Sequence, residues 1–393
     1  MNYKRSRTHM EFPVIEPLSE GEHIAIMYQL SDLHAPYACV SIASIIRHAA
    51  REHHYDIVIL CYNMAAKTKR TLLDYVQQEK KQKGVDVSLR FYDVGKVVEP
   101  WREKLPTTEF FSDVKFPKIL MCSYWFAAHI FPRYEKVIRV GADTLMKTDI
   151  AQLYHEDLGE NWIGAVRDAG MPILLRAGDL EDYYKRKFGV EKEEIFRTYI
   201  NADVQVLNLT EWRKHGIGEK LLETGADTQN GAWLMIEQDV VNYVCRGHIR
   251  YFGYAWNCFP HSDDVTHPYW CDIMNAMEPD NAQEWKEALE APSIVHFMPC
   301  KPWHDSTAKF ADEWWKYARE TPYYEILIQR LHTNVANDTK QMHRKRTALQ
   351  RKLIKQKILR WLAVGRRKRR CMAKISELEE RINKINNHLK SSS

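Results

Sequence analysis

The chain has 393 residues, 45% of them hydrophobic, with 12 Trp and 20 Tyr, and a formal net charge of +5. This composition excludes bulk disorder and suffices for one large core or two ordinary ones, while no apolar run approaches the roughly 20 residues of a membrane-spanning helix. The charge is uneven: residues 344–390 carry 17 Lys and Arg against 3 Asp and Glu, leaving 40 against 49 elsewhere, so a basic tail with an acidic partner surface follows a mildly acidic body.

In chain order, residues 1–22 are polar, mildly basic and without a period, and read as a flexible extension with no apolar leader core. Ile24 to Tyr28 form a first buried strand, followed by a loop and by Pro36 in the first turn of a helix through Ile42, Ile45 and Ile46. Such a strand, loop and helix set backbone N–H groups and Asp32 over a ligand. A strand over 56–61, a charged helix over 69–83 and a strand over 85–92 complete a β-α-β-α-β half. The alternation predicts an α/β fold with a largely parallel sheet covered by helices.

A helix over 121–131, broken at Pro132, precedes the central strand Val137-Ile138-Arg139-Val140. That strand stops at Gly141-Ala142-Asp143, where glycine permits a sharp turn. Ligands of open α/β sheets collect outside the carboxyl ends of strands, and a hard cation with a diphosphate wants oxygen there. Taken alone, Asp143 reads first as a cap of the turn before Thr144. Next come a short strand ending at Asp168, a charged segment through Arg197, and a strand over 199–209 that runs into a helix start. Glu237-Gln238-Asp239-Val240-Val241-Asn242, Trp256-Asn257 and a segment from Ile294 to His304 follow.

The tail, residues 334–393, reads as a separate unit. Leu349, Leu353, Ile354, Ile358, Trp361 and Leu362 recur at helical spacing among Arg351, Lys352, Lys355, Lys357 and Arg360, a basic amphipathic helix. Gly365 interrupts before five consecutive basic residues ending at Arg370. Then Ile375, Leu378, Ile382, Ile385 and Leu389 step by three and four, a coiled-coil-like stripe that either packs on the body or pairs with a second copy. The basic span from Arg344 through Arg370 fits an anionic membrane surface; it also fits nucleic acid, although the body carries no nucleic-acid motif.

The order of these segments resembles glycosyltransferase family 8, the retaining enzymes that include bacterial lipopolysaccharide galactosyl- and glucosyltransferases and glycogenin. The family's D-x-D-T/V-L, F-N-A/S-G-V, D-Q-D-x-x-N, W-N and H-x5-K-P-W are matched by Gly141-Ala142-Asp143-Thr144-Leu145, Ile200-Asn201-Ala202-Asp203-Val204, Glu237 to Asn242, Trp256-Asn257 and His296 to Trp303. Ala35 to Ser41 and Trp314 to Ala318 add to a resemblance of about 300 residues.

The resemblance implies a GT-A fold over residues 23–333, a Rossmann-like mixed sheet that binds a nucleotide sugar, a UDP-sugar, with Mn²⁺ or Mg²⁺. It assigns Asp143 and His296 to the metal and Lys301 to the diphosphate. Tyr28, Asp32 and His34 fall in the nucleotide segment, with His34 where the family has a base-stacking Tyr. Asp168, Asn201, Ala202 and Gln238 match donor-sugar contacts, and Gln238 with Glu237 stands nearest the anomeric carbon. The implied function is hexose transfer, galactose or glucose, to a glycan or lipid-linked acceptor in lipopolysaccharide or capsule synthesis. The expected location is cytoplasmic, as eight Cys without paired spacing also indicate, and peripheral at the inner face of the membrane.

Four departures accompany the resemblance. Gly141 replaces the first Asp of D-x-D, which admits a catalytically silent nucleotide-sugar binder as the alternative. Asp203 replaces a small glycine, either crowding the donor pocket or supplying a compensating charge. The last motif is one residue shorter and lacks its glycine, and Tyr124 or Trp125 stands where relatives place an Arg. If the turn tolerates a side chain, restoring the carboxylate by Gly141→Asp is expected to tighten metal binding by about tenfold or more, unless Asp203 or water already fills that role.

Overall fold

A computed structural model describes residues 13–105, 118–171, 175, 179–227, 232–260, 279–298, 300–304, 306, 308–362 and 366–391. The apolar runs near the N-terminus are strands buried on both faces, as a helix-covered parallel sheet demands: β1 (His23–Leu30) and β2 (His54–Cys61) expose almost nothing. With β3 (Asp86–Asp93), β4 (Lys136–Val140), β6 (Ile163–Arg167), β7 (Ile200–Asn208) and β8 (Ile249–Phe252) they form a seven-stranded sheet in the order β3-β2-β1-β4-β7-β6-β8. β3, β2, β1 and β4 run parallel, and β7 lies antiparallel between β4 and β6. A second ladder joins β5 (Thr144–Met146) to β9 (Ile294–His296), pairing Thr144 with His296. Helices α1 (Ala35–His48) and α2 (Ala66–Lys83) make the crossovers of the first half, α2 ending on left-handed Gly84.

These elements belong to a first compact unit through Pro302 and Ser306–Tyr324. The mixed, mostly parallel sheet is the α/β architecture expected. Three local expectations differ. Part of the expected flexible extension is tied down: Ile15 is buried and donates its N–H to Ile130 O at 2.7 Å, while the carbonyls of Pro13 and Glu16 accept from Tyr92 and Arg90. Residues 1–12 lie outside those described.

The single helix expected over 121–131 is instead three short pieces, Lys118–Met121, a 3-10 turn Ser123–Phe126, and Ala127–Ile130. In an α-helix the carbonyls of Leu120 and Met121 would accept from Tyr124 and Trp125. Here Gln29 Nε2 donates to both carbonyls, at 2.8 Å to Met121, and Trp125 N turns to Cys122 O at 3.1 Å.

The second unit comprises Trp303–Asp305 and Glu325–Ser393. It begins before residue 334 because one uninterrupted helix spans Tyr324–Leu362. A second helix spans Arg366–Ser391. Leu378 and Ile382 bury against Leu349, with Leu353 and Ile385 packed beside them. Lys357 pairs with Glu379 at 2.7 Å and Arg346 donates to Asn386, so the two helices form an antiparallel hairpin. The stripe read as coiled-coil-like thus has a partner within its own chain. The side chains of Ile358, Arg360, Trp361, Leu362 and Leu389, and Gly365 altogether, lie outside those described. Among the described residues no helix is long and apolar enough to cross a membrane.

Candidate active site

β4 ends at Val140, and the turn 141–143 swings Asp143 out before the chain re-enters as β5. Because β5 pairs with β9, His296 stands opposite Thr144, beside the Asp143 carboxylate. Asp203 arrives from β7: Gly141 N donates to Asp203 O at 2.9 Å, which extends the β4–β7 ladder by one step. Fully buried His296 Nε2 lies 3.6 Å from Asp143 Oδ1 and 3.3 Å from Asp203 Oδ2. Lys301 places its ammonium on the other oxygen of Asp143.

Burial raises the Asp143 carboxyl, but Lys301 and His296 beside it more than offset that and hold it well below the usual range. Burial disfavours the His296 imidazolium, yet the two carboxylates outweigh it and lift the imidazole to about 9. Among the described residues His296 Nε2 has no partner in good hydrogen-bond geometry. With one oxygen each from Asp143 and Asp203 it forms a set of three ligand atoms within 4.8 Å of one another. An orphaned buried nitrogen facing two carboxylates fits a divalent cation such as Mn²⁺ or Mg²⁺.

The imidazole is aimed by a chain of amides. Asn257, in the 3-10 turn Tyr254–Asn257, donates its Nδ2 to Asn201 Oδ1 at 3.0 Å, so its Oδ1 is the acceptor facing His296 Nδ1 at 2.9 Å. Asn201 Nδ2 donates to Asp168 Oδ2 at 3.0 Å, and Gln238 Nε2 donates to the same oxygen at 3.1 Å. Gln238 Oε1 accepts from Ala202 N at 3.0 Å, and Asp168 Oδ1 accepts from Gly170 N at 2.8 Å. Asp168, Gln238, Asn201, Asn257 and His296, distant in sequence, are one buried network whose last nitrogen points at Asp143 and Asp203.

Gln238 is carried by helix α3 (Glu237–Cys245), whose start is strained: Ile236 sits at φ 47°, a conformation a β-branched residue rarely adopts. Buried Asp239 fixes that turn by accepting from Met235 N and from the hydroxyls of Tyr183, Tyr184 and Tyr199. Next to it, burial pushes the Glu237 carboxyl up to about 7, partly opposed by Arg139. Arg139 Nη2 lies 3.6 Å from Glu237 and 3.8 Å from Asp203; its guanidinium stacks over Tyr124 and donates to Gln29 Oε1 and Ala202 O.

Asp143, Asp168, Asn201, Ala202, Glu237, Gln238, His296 and Lys301 are therefore brought together. Tyr28, Asp32 and His34 are not part of that network. Tyr28 is buried, and its hydroxyl meets Ser41 of α1 at 2.7 Å because its place in the strand points it under the helix. Asp32 lies in the loop beyond β1, but its carboxylate accepts from Ala65 N and Thr68 at the start of α2. His34 precedes α1, half-buried, with Nδ1 2.9 Å from Ser31 Oγ. Sequence reasoning missed Arg139 and the orienting role of Asn257. The available signal for Arg139 was a charge inside an apolar strand, which demands buried partners.

Residues 25–307 match the model described as "Glycosyl transferase family 8". The chain is 22% identical over 240 residues to a "Putative glycosyltransferase" of Haemophilus influenzae, covering 61% of this chain and 64% of that protein. It is 21% identical over 204 residues to the "Lipopolysaccharide 1,3-galactosyltransferase" of Salmonella typhimurium, covering 51% and 52%. The chain thus spans less than two thirds of these relatives. Among solved structures, galactosyltransferase LgtC in complex with donor and acceptor sugar analogs is similar in fold, with a TM-score of 0.54 and 21% identity over 76% of this chain and 96% of that one.

Proposed function

The chain belongs to glycosyltransferase family 8, and from that premise we propose that it transfers galactose or glucose, with retention, from a UDP-sugar to a glycan or lipid-linked acceptor in lipopolysaccharide or capsule synthesis. The observation that carries this reading is the amide network that ends on the unsatisfied Nε2 of His296, facing the Asp143 carboxylate at the carboxyl end of the sheet. The lipopolysaccharide galactosyltransferase among the relatives supports the choice of sugar and pathway.

Asp143 and His296 would hold Mn²⁺ or Mg²⁺, which when bound neutralises diphosphate charge and acts as a Lewis acid toward the leaving group. Lys301, already against Asp143, contributes a point charge to the same diphosphate. Asp168, Asn201, Ala202 and Gln238 form the polar floor that orients the donor hexose. Gln238 is a neutral amide engaged at both ends, which makes it an orienting group and a poor nucleophile. Retention then follows from attack on the face the diphosphate leaves, a departing phosphate oxygen taking the acceptor's proton. Glu237, when ionised, steadies the oxocarbenium-like charge. His34 and Asp32, beyond the end of β1, serve the nucleotide. In the helical hairpin, exposed Arg344, Lys345, Arg351, Lys352 and Lys355 offer a basic surface for the anionic membrane that carries a lipid-linked acceptor.

The test is a donor screen with Mn²⁺ and with chelator, scoring binding, release of UDP, and the anomer of the product by proton NMR. The proposal expects one UDP-hexose to bind and turn over only with metal and to yield the donor's own anomer. Failure of every UDP-sugar to bind with Mn²⁺ present would overturn it.

A further inference from the structure

We infer that Asp203 supplies the second carboxylate of the metal site, and that Gly141 is glycine because the carboxylate stands on the opposite strand. This rests on the metal-site reading above and goes beyond it by adding a ligand and a spatial rule. Positions 141 and 203 face each other across the antiparallel β4–β7 ladder, linked by the hydrogen bond from Gly141 N to Asp203 O. Directly opposed residues of such a pair present their side chains to the same face. A carboxylate moved from one to the other therefore stays on the same face, at the same end of the sheet.

Asp203 is held for this purpose. Its backbone N–H donates to Asn201 Oδ1 at 3.0 Å, one carboxylate oxygen lies 3.8 Å from Arg139, and the other lies 3.3 Å from the unsatisfied His296 Nε2. Asp143 from the turn after β4, Asp203 from within β7 and His296 from the end of β9 thus bring their ligand atoms within 4.8 Å of one another.

The space at Gly141 completes the argument. Its φ is not in the left-handed region, so backbone torsion does not require glycine. A Cβ built there meets Asp143 Oδ1 at 2.8 Å and Asp203 Cβ and Cγ at 3.2 Å. A side chain at 141 competes for the volume that the Asp203 carboxylate fills, and a carboxylate there would also face a like charge. The expectation that Gly141→Asp alone tightens metal binding is accordingly reversed.

The experiment titrates Mn²⁺ into the full chain, alone and with UDP, following free Mn²⁺ by electron paramagnetic resonance. The proteins are wild type, Asp203→Asn, Asp203→Gly, Gly141→Asp, Gly141→Asp/Asp203→Gly, and Asp143→Asn. Both single changes at 203 should weaken Mn²⁺ at least tenfold, Gly141→Asp should fail to tighten it, and the double variant should return to within about threefold of wild type. Wild-type affinity in either Asp203 variant, or a double variant that folds but stays as weak as Asp203→Gly, overturns the inference. If Asp143→Asn loses Mn²⁺ while the Asp203 variants keep it, the metal-site reading stands and only the added ligand falls. If Asp143→Asn keeps it, the reading and the inference fall together.

Discussion

Glu237→Gln isolates the cost of holding a buried carboxyl at the start of α3. Burial raises Glu237 from its ordinary 4.5 to about 7, with Arg139 opposing and Asp203 adding to the rise. A shift of about 2.5 pH units corresponds to ~3 kcal/mol between the protonated and ionised folded forms. The sign follows from the raised value. The folded protein binds the proton more tightly than the unfolded chain, so this contribution to stability is complete below pH 4.5 and is lost as pH rises through 7. Glutamine mimics the protonated acid and does not titrate. Wild type and Glu237→Gln should therefore show similar urea midpoints near pH 4.5 in chelator, and the variant should become more stable by ~3 kcal/mol by pH 8. A gap that is constant with pH would refute the argument. So would a variant less stable at pH 8, because then the ion pair with Arg139, 3.6 Å away, outweighs desolvation.

Three further outcomes are expected. Tyr199→Phe removes a 2.6 Å hydrogen bond to buried Asp239 and should cost about 1.5–3 kcal/mol in urea unfolding, with weakened donor affinity because Asp239 fixes the turn before Gln238; unchanged stability would contradict it. Gly164→Ala places a Cβ 2.2 Å from Phe252 Cζ and 2.6 Å from Leu158 Cδ2, and overpacking of this kind costs about 1–3 kcal/mol, so a neutral result would mean that β8 yields freely. Replacing Arg351, Lys352 and Lys355 together by Gln should weaken sedimentation with anionic vesicles at low salt by ~3 kcal/mol, roughly a hundredfold, with soluble-acceptor transfer unchanged; equal vesicle binding would remove these residues from the proposed surface.

The parts of the fold legible in the sequence are those fixed by local pattern. The apolar runs at 24–28 and 56–61 can only be strands covered on both sides, and the strand through Val137 to Val140 must stop at Gly141. Motif order located Asp143, Asp168, Asn201, Gln238 and His296, which the structure gathers from separate elements. Long-range contacts between side-chain ends were not legible. The carbonyls of Leu120 and Met121 are taken by Gln29 from another strand, and that contact breaks a helix whose composition favours it. Arg139 is accommodated inside the sheet because Gln29, Tyr124, Ala202 and Glu237 converge on it. Asp203 at a glycine position reads either as crowding or as a compensating charge, and the register that sets it opposite Gly141 is a long-range fact. The stripe from Ile375 to Ile385 reads alike for a partner in cis or in trans, and only the packing against Leu349 and Leu353 identifies the one it has.

The central claim is metal-dependent hexose transfer centred on Asp143. The most direct measurement compares Mn²⁺-stimulated release of UDP from the preferred UDP-hexose, with and without acceptor, in wild type and Asp143→Asn of equal thermal stability. The account predicts metal-dependent release in wild type and release at the chelator background in the variant, because one neutral amide oxygen replaces a charged carboxylate ligand. A folded Asp143→Asn with wild-type Mn²⁺ stimulation would contradict it.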